Sequence, residues 1–300
     1  FPSVGDIGEK VDLAVIATPA PAVLPILDDC VRAGVDGAAI VSSGFKESGK
    51  QGKKDFAAIQ KLAQTSGMRI LGPNCLGFAN SRAKLNASFA PQSPLPGSIA
   101  FVSQSGALCG TFLDWSLRDN IGFSHFVSIG SAADIDFAEM IEYLSRDENV
   151  GSILLYMESL NDGPRFIAAA REFCQTKPIV CLKAGANLAG AAAAVSHTGA
   201  IAGDDKVFSA VFERAGIIRA TTISEFYNYA RTLNHCKKPQ GRRLAIITNA
   251  GGSGVISADF LAQNGGELAK LAPRTIKMLA EALPPAASRA NPIDVLGDGA

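Results

Sequence analysis

The chain is 300 residues long, 47% hydrophobic and 19% charged, and its 28 basic residues are matched by 28 acidic ones. That length reaches the limit of about 250–300 residues at which single cores stop growing, so two or three domains are expected. The balanced charge excludes a global field that would recruit nucleic acid or an anionic membrane, and leaves a small, locally recognised ligand as the expected partner.

The first apolar run, "VDLAVIAT" (11–18), reads as a strand, and "GAAIVSS" (37–43) as the next, each followed by a small-residue turn and a helical stretch. After the second comes "GFKESGK" (Gly44–Lys50), which fits the G-x-x-x-x-G-K part of a P-loop. Gln51 stands where Ser or Thr should hold magnesium, and the Glu47 charge would oppose a phosphate, so an exposed loop entering a helix is the preferred reading. "ILGPNCLG" (Ile70–Gly77) is a strand ending in a Pro-fixed turn with Asn74 and Cys75 at its tip. Asn74 suits a ligand-contacting amide. Cys75 has no histidine in its stretch and reads as a buried structural thiol rather than a nucleophile.

The proline-rich "APQSPLPGS" (90–98) marks a boundary, after which "GSIAFVSQSG" (97–106) opens a fresh strand. Its "SQSGA" turn (Ser103–Ala107) starts a helix, with forward-pointing N–H groups beside serine hydroxyls. Such an end binds anions without any basic residue, although a plain Ser N-cap is the simpler reading of it alone. "GSILLYMES" (151–159) ends at Glu158, which is either a site carboxylate at the C-terminal end of a strand or an exposed, helix-starting Glu.

"KPIVCLKAG" (177–185) is a further strand, and "AVSHTGAIAGDD" (194–205) follows it with His197 among glycines 185, 190, 199 and 203. A lone histidine is more often structural. So many Gly and Ala neighbours nevertheless suit a ring that must travel or accept a bulky group, and histidine is a competent nucleophile toward phosphorus when a carboxylate such as Glu158 orients it. His125 and His235 lack such a setting and read as packing or surface residues.

A second boundary, "HCKKPQGRR" (235–243), precedes the strand "RRLAIITNAGG" (242–252). "NAGGSGV" (Asn249–Val255) repeats the helix-start logic, with glycines that let a ligand approach the backbone. Laid together, "GSIAFVSQSGALCG" and "RRLAIITNAGGSGV" suggest two copies of one nucleotide- or phosphate-binding unit. Strands apolar on both faces, alternating with helices, define an α/β, doubly wound fold. No C-x-x-C or Cys/His metal spacing links the six cysteines, so no metal site is expected, and no apolar run reaches the roughly 18 residues of a spanning helix. A cytoplasmic location is expected. The chain starts at Phe1 and stops at "NPIDVLGDGA", as a fragment or the ordered part of something longer would.

"SSGFKESG", "ILGPNCLG", "VSQSGA", "YMESL", "SHTGA", "NAGG" and "NPID" stand in this order along the chain. Together they resemble the NDP-forming acyl-CoA synthetases, the ADP-forming acetate–CoA ligase type, relatives of the succinyl-CoA synthetase alpha subunit. The resemblance implies a partial Rossmann-like CoA-binding domain (1–96) followed by two flavodoxin-like, doubly wound parallel-sheet domains (97–239 and 240–300). It implies an acid–thiol ligase that uses a carboxylic acid, CoA and ATP, passing through an acyl phosphate and a phosphohistidine at His197, with Glu158 orienting that ring. Ser103, Gln104, Ser105 and Gly106, with Ala250, Gly251 and Gly252, would bind the phosphoryl group. Thr18, Pro19, Ser43, Gly44, Glu47, Asn74 and Cys75 would contact CoA.

Two family parts are missing from the sequence: the first CoA contacts, and the ATP-grasp part that binds ATP and Mg²⁺. An ATP-grasp domain or subunit is therefore the implied partner, in a homo- or hetero-oligomer. "VSIGSAADID" carries Ser131 where the family usually has Asn, and no basic residue stands out as a carboxylate clamp. The alternative reading is an acyl-CoA- or nucleotide-sensing region of a protein N-acetyltransferase. A Rossmann dehydrogenase is disfavoured, since no G-x-G-x-x-G follows any strand.

Overall fold

The computed structural model describes residues 1–186, 204–236 and 239–298. Two units divide the chain, Phe1–Cys236 and Lys237–Ala300. In the first unit β1 (Leu13–Ile16), β2 (Gly37–Ile40) and β3 (Arg69–Leu71) form a parallel sheet in that order. The helices α1 (Ala20–Arg32) and α2 (Gly49–Ser66) bury Val23, Leu27, Phe56 and Ile59 over Ile16, Ile40 and Ile70. Ala39 and Leu71, pointing the other way, join the core of the second sheet. Both faces of β2 and β3 are thus covered, which is why these runs lack polar alternation.

The second sheet of this unit has seven strands in the order β10-β9-β8-β6-β7-β4-β5. These are β4 (Gly77–Asn80), β5 (Leu85–Ser88), β6 (Leu95–Ser103), β7 (Gly122–Ser128), β8 (Ser152–Met157), β9 (Ile179–Lys183) and β10 (Ile218–Ala220). The strands β6 to β10 are mutually parallel. The doubly wound parallel sheet carries one antiparallel edge, where β4 pairs antiparallel with both β7 and β5. Residues 77–88, expected with the first domain, belong to this sheet. The hairpin strands are four residues long and only half buried, so no long apolar run announced them.

Side chains on β6 alternate between the faces. Ile99 and Phe101 pack with Phe112 and Leu113 of α3 (Gly106–Arg118) and with Phe226 and Ala230 of α7 (Ile223–His235). Ala100 and Val102 join Phe137 and Ile141 of α4 (Phe137–Ser145), Phe166 and Phe173 of α5 (Gly163–Cys174), and Phe212 of α6 (Asp205–Ala215). The Phe101 and Phe112 rings stack at 4.6 Å, and burial of each such side chain contributes about 1.5–3 kcal/mol. Counted along the chain, the parallel strands lie in the order 2-1-3-4-5. That is the flavodoxin-like order, whose switch point falls between β6 and β8.

In the second unit β11 (Arg243–Leu244) pairs in parallel with β13 (Glu267–Leu268), and β12 (Ile247–Thr248) with β14 (Ile293–Asp294). The expected single strand at 242–252 is therefore two short ones. The helices α8 (Gly251–Gln263) and α9 (Pro273–Ala282) complete it. Among the described residues no helix is long and apolar enough to cross a membrane, and no group of three or more His, Cys, Asp or Glu could hold a metal.

Candidate functional site

Gln104 follows β6 and Glu158 follows β8, on the two strands that flank the switch point. The Gln104 Oε1 accepts hydrogen bonds from the backbone N–H of Glu158 (2.6 Å) and of Ser159 (2.9 Å), while its Nε2 donates to Ser159 Oγ (3.4 Å). Its own backbone N–H donates to the Tyr156 carbonyl at 3.2 Å. Expected as a phosphate ligand, Gln104 is instead largely committed to fixing the backbone path at Glu158. Burial, with help from the Glu158 charge, pushes the neighbouring Tyr156 phenol up to about 12.

The start of α3 answers the choice between cap and anion site. Ser105 Oγ accepts from Leu108 N–H at 3.2 Å, a helix N-cap. A cap satisfies one of the roughly four orphan amides of a first turn, so capping and anion binding are compatible. The buried Ser103 hydroxyl donates to the Ser105 carbonyl and accepts from the Ser105 N–H, both at 3.0 Å. A Cβ at Gly106 would meet nothing closer than Leu76 N at 3.6 Å, so packing does not require glycine there.

The smaller sheet adds the loop after β2. Glu47 Oε1 accepts from Gly44 N–H at 2.7 Å and closes the loop. Just beyond the P-loop-like stretch, glycine at 52 has a packing cause, since a Cβ there would stand 2.0 Å from the Phe45 carbonyl oxygen. Lys46 reaches away from this loop: its Nζ donates to the Ser131 carbonyl at 3.2 Å and sits 4.2 Å from the Phe56 ring centroid. Burial lowers its pKa below the usual lysine value. Asn74, in the left-handed region with φ 59°, donates its backbone N–H to the Ser42 carbonyl (2.9 Å). The loop after β7 backs that turn, with Ser131 N–H on the Pro73 carbonyl (2.8 Å) and Ala133 N–H on the Gly72 carbonyl (2.9 Å).

Lys46, Glu47, Asn74, Gln104, Gly130, Ser131, Glu158 and Ser159 line one cavity of about 40 Å³. Three candidates from separate stretches thus meet Glu158 at one place. Other CoA candidates lie outside this lining. Thr18 Oγ1 is buried with no partner among the described residues, and its carbonyl accepts from Ser42 Oγ at 2.5 Å. Pro19, the N-cap of α1, is exposed, as is Ser43. Cys75 turns inward: its thiol donates to the Ile40 carbonyl at 3.2 Å, and burial pushes it up to about 11. A CoA contact through that side chain is corrected to the structural thiol that its setting suggested.

His125 is buried, with Nε2 2.9 Å from Asn80 Nδ2 and its ring edge-on to Tyr143, whereas His235 is exposed at the end of α7. A larger, mostly apolar cavity of about 470 Å³, lined by Leu71, Phe78, Val127 and Met140 among others, holds none of the candidate residues. His197 lies outside the described residues.

The second unit repeats the local geometry of the first. Thr248 Oγ1 donates to the Ala250 carbonyl and accepts from the Ala250 N–H, both at 3.0 Å, as Ser103 does with Ser105. Here the N-cap residue is Ala250, without a side-chain cap. Ala250, Gly251 and Gly252 are exposed, and a Cβ at Gly251 would stand 2.8 Å from Asp294 Oδ2. The anion at this helix start is the protein's own carboxylate, from the "NPID" stretch, where the dipole favours it. The sequence reading missed this role of Asp294, and it also missed Lys46, Gly130 and Ser159. The position of Lys46 between Gly44 and Glu47, both already singled out, was the available signal.

Comparison with known proteins adds the following. Residues 1–81 match the CoA binding domain family, 96–233 the succinyl-CoA ligase like flavodoxin domain, and 244–300 the ligase-CoA domain. The chain is 45% identical over 297 residues to subunit alpha of the ADP-forming acetate–CoA ligase I of Pyrococcus furiosus, covering 99% of this chain and 64% of that one. It is 42% identical to the ADP-forming acetate–CoA ligase I of Archaeoglobus fulgidus and 34% identical to the ADP-forming 4-hydroxybutyrate–CoA ligase of Nitrosopumilus maritimus, covering 99% of this chain and 43% of each relative. A solved structure of the Ca. Korarchaeum cryptofilum dinucleotide-forming acetyl-coenzyme A synthetase 1, in complex with phosphate and ADP, superposes with a TM-score of 0.91 at 40% identity. That match covers 99% of this chain and 64% of the other. The chain thus spans less than two thirds of the length of these relatives.

Proposed function

The chain belongs to the NDP-forming acyl-CoA synthetase family, that of the ADP-forming acetate–CoA ligases, and from that premise we propose that it is the CoA-binding and phosphoryl-carrying part of an acid–thiol ligase. The overall reaction converts a carboxylic acid, CoA and ATP into acyl-CoA, ADP and phosphate. In the proposed sequence the His197 imidazole takes the phosphoryl group. A carboxylate oxygen of the acid then attacks phosphorus, which frees the imidazole and makes the acyl phosphate. The CoA thiol finally attacks the acyl carbon and expels phosphate.

Each step asks something of a named group. The Glu158 carboxylate accepts the ring N–H of His197 and balances the charge that the ring gains, and Gln104 holds the backbone at that carboxylate. The orphan amides at the start of α3 stabilise charge on the phosphoryl oxygens without trapping it in a tight salt bridge. Thr18, whose hydroxyl has no partner among the described residues, suits a bound ligand's polar group, and Asn74 and Ser43 lie on the loops that end β3 and β2. Bound with ATP on an ATP-grasp domain or subunit, Mg²⁺ would supply charge neutralisation for phosphoryl transfer.

By this division residues 1–96 hold CoA and 97–239 carry the phosphoryl group, with 240–300 as a further domain. The setting is a cytoplasmic oligomer acting on a small acid, with no nucleic-acid or membrane partner. The single observation that carries the reading is the cavity shared by Glu158 and Gln104, at the switch point of the larger sheet, with Lys46, Glu47 and Asn74 from the segment that matches CoA-binding domains.

In the full-length protein, supplied with its ATP-grasp part, acetate, CoA and ATP are expected to give acetyl-CoA with one ADP and one phosphate each. Release of AMP and pyrophosphate instead, or no acyl-CoA with any of a panel of short-chain acids, would refute it.

A further inference from the structure

We propose that Lys46 binds the carboxylate of the acid substrate, a role that rests on the ligase reading and that no basic residue had in the sequence. Its ammonium lines the cavity that also holds Glu158, Gln104 and Asn74. Two contacts hold the side chain there: the Ser131 carbonyl at 3.2 Å takes one of its three N–H donors, and the Phe56 ring lies 4.2 Å beneath the charge. Among the described residues no carboxylate is within ion-pairing distance of Lys46 Nζ. Glu47, its neighbour in the chain and in the cavity lining, has one oxygen on Gly44 N–H.

A partly buried cation that lacks a counter-charge is costly to keep, and an anionic ligand would offset that cost. Burial already lowers the pKa of this lysine, which is what desolvation without an anion does. The chemistry supplies the anion. A carboxylate that attacks a phosphoryl group beside Glu158 meets like charge on both sides, and an ammonium at the wall of the cavity offsets this while turning one oxygen toward phosphorus. The cavity, about 40 Å³ with Ser131 in its wall, is on the scale of an acid of a few carbon atoms, since one water needs about 10–15 Å³ by the same kind of measure.

The test uses the full-length enzyme with acetate as the probe. Lys46→Met keeps the stem and removes the charge, and losing a charge-assisted contact of this kind is expected to raise KM for acetate by about 10- to 100-fold. Phosphoenzyme formation from ATP stays unchanged and KM for CoA moves by no more than about twofold, because neither step binds the acid. Lys46→Arg recovers part of the loss. An unchanged KM for acetate in Lys46→Met overturns the proposal and leaves the ligase reading standing. A fall in Tm with equal losses for acetate and CoA overturns it too, by reducing Lys46 to a tie between two loops. A wild-type enzyme that neither takes phosphate from ATP nor makes acetyl-CoA overturns both.

Discussion

Glu158→Gln in the full-length enzyme is expected to lower acyl-CoA formation by about 10²–10⁴-fold, the range typical of removing a positioned acid–base group. The glutamine is nearly the same size, and the contact that fixes this position uses the backbone N–H of residue 158 on Gln104 Oε1, so the fold should survive. Under the proposed mechanism, what disappears is the negative charge assigned to holding the imidazole of His197 in one tautomer and offsetting the positive charge it gains on phosphorylation. Unaltered melting with a collapsed rate is therefore the expected pair of results. Wild-type turnover in Glu158→Gln would mean that the carboxylate is a bystander, the exposed helix-starting Glu of the simpler sequence reading.

Gly130→Ala is expected to damage the fold itself. Residue 130 has φ 53°, and a Cβ there would stand 2.3 Å from the Pro73 carbonyl oxygen and 2.5 Å from that of Asn74. Both neighbours are backbone, so neither can swing aside as a side chain could. Relief requires the loop after β7 to part from the turn after β3, which strains or breaks the Ser131-to-Pro73 and Ala133-to-Gly72 hydrogen bonds. Backbone strain of about 1–3 kcal/mol together with two weakened hydrogen bonds at about 1 kcal/mol each suggests a loss of about 3–5 kcal/mol. For a unit of this size that is a fall in Tm of roughly 6–20 °C, measurable by calorimetry. The same displacement moves Asn74 and the carbonyl that holds Lys46, so activity should fall as well. A melting temperature within about 1 °C of wild type would show that the two loops separate freely.

These two positions also show what was legible in the sequence. Glu158 was visible because a long apolar run ends on it, and parallel sheets build sites at strand C-termini. The α/β fold was legible for the same reason: 97–106, 151–159 and 177–185 are apolar on both faces because helices cover both. Gly130 carried no such mark. Its role comes from close approach to residues 73 and 74, more than fifty positions away, and pair distances of that kind leave no local pattern. The hairpin of β4 and β5 was hidden because each strand is four residues long with polar positions, which resembles loop composition. Lys46 was masked by a decoy, since Gly44 and Gly49 on either side of it fit a P-loop spacing and drew the reading to phosphate. Gln104 was placed correctly at the end of a strand, but its bonds to the backbone at 158 and 159 were not legible, because they join residues more than fifty positions apart.

The pairing of the two helix starts was legible at the level of four residues. Ser103-Gln104-Ser105-Gly106 and Thr248-Asn249-Ala250-Gly251 fold into the same hydroxyl-backed turn, although the second lacks the cap and has Asp294 beside it. A charge relationship of that sort depends on residues some forty positions apart and could not be read locally.

His197 is proposed to carry the phosphoryl group. Incubating the full-length protein, with its ATP-grasp part, with γ-labelled ATP and then analysing the quenched protein tests it directly. The expected result is acid-labile, base-stable label on His197, discharged by acid plus CoA and absent from His197→Ala. An unlabelled wild-type protein that still binds acyl-CoA, or label undiminished in His197→Ala, would contradict the account; the former would point to the sensing module instead.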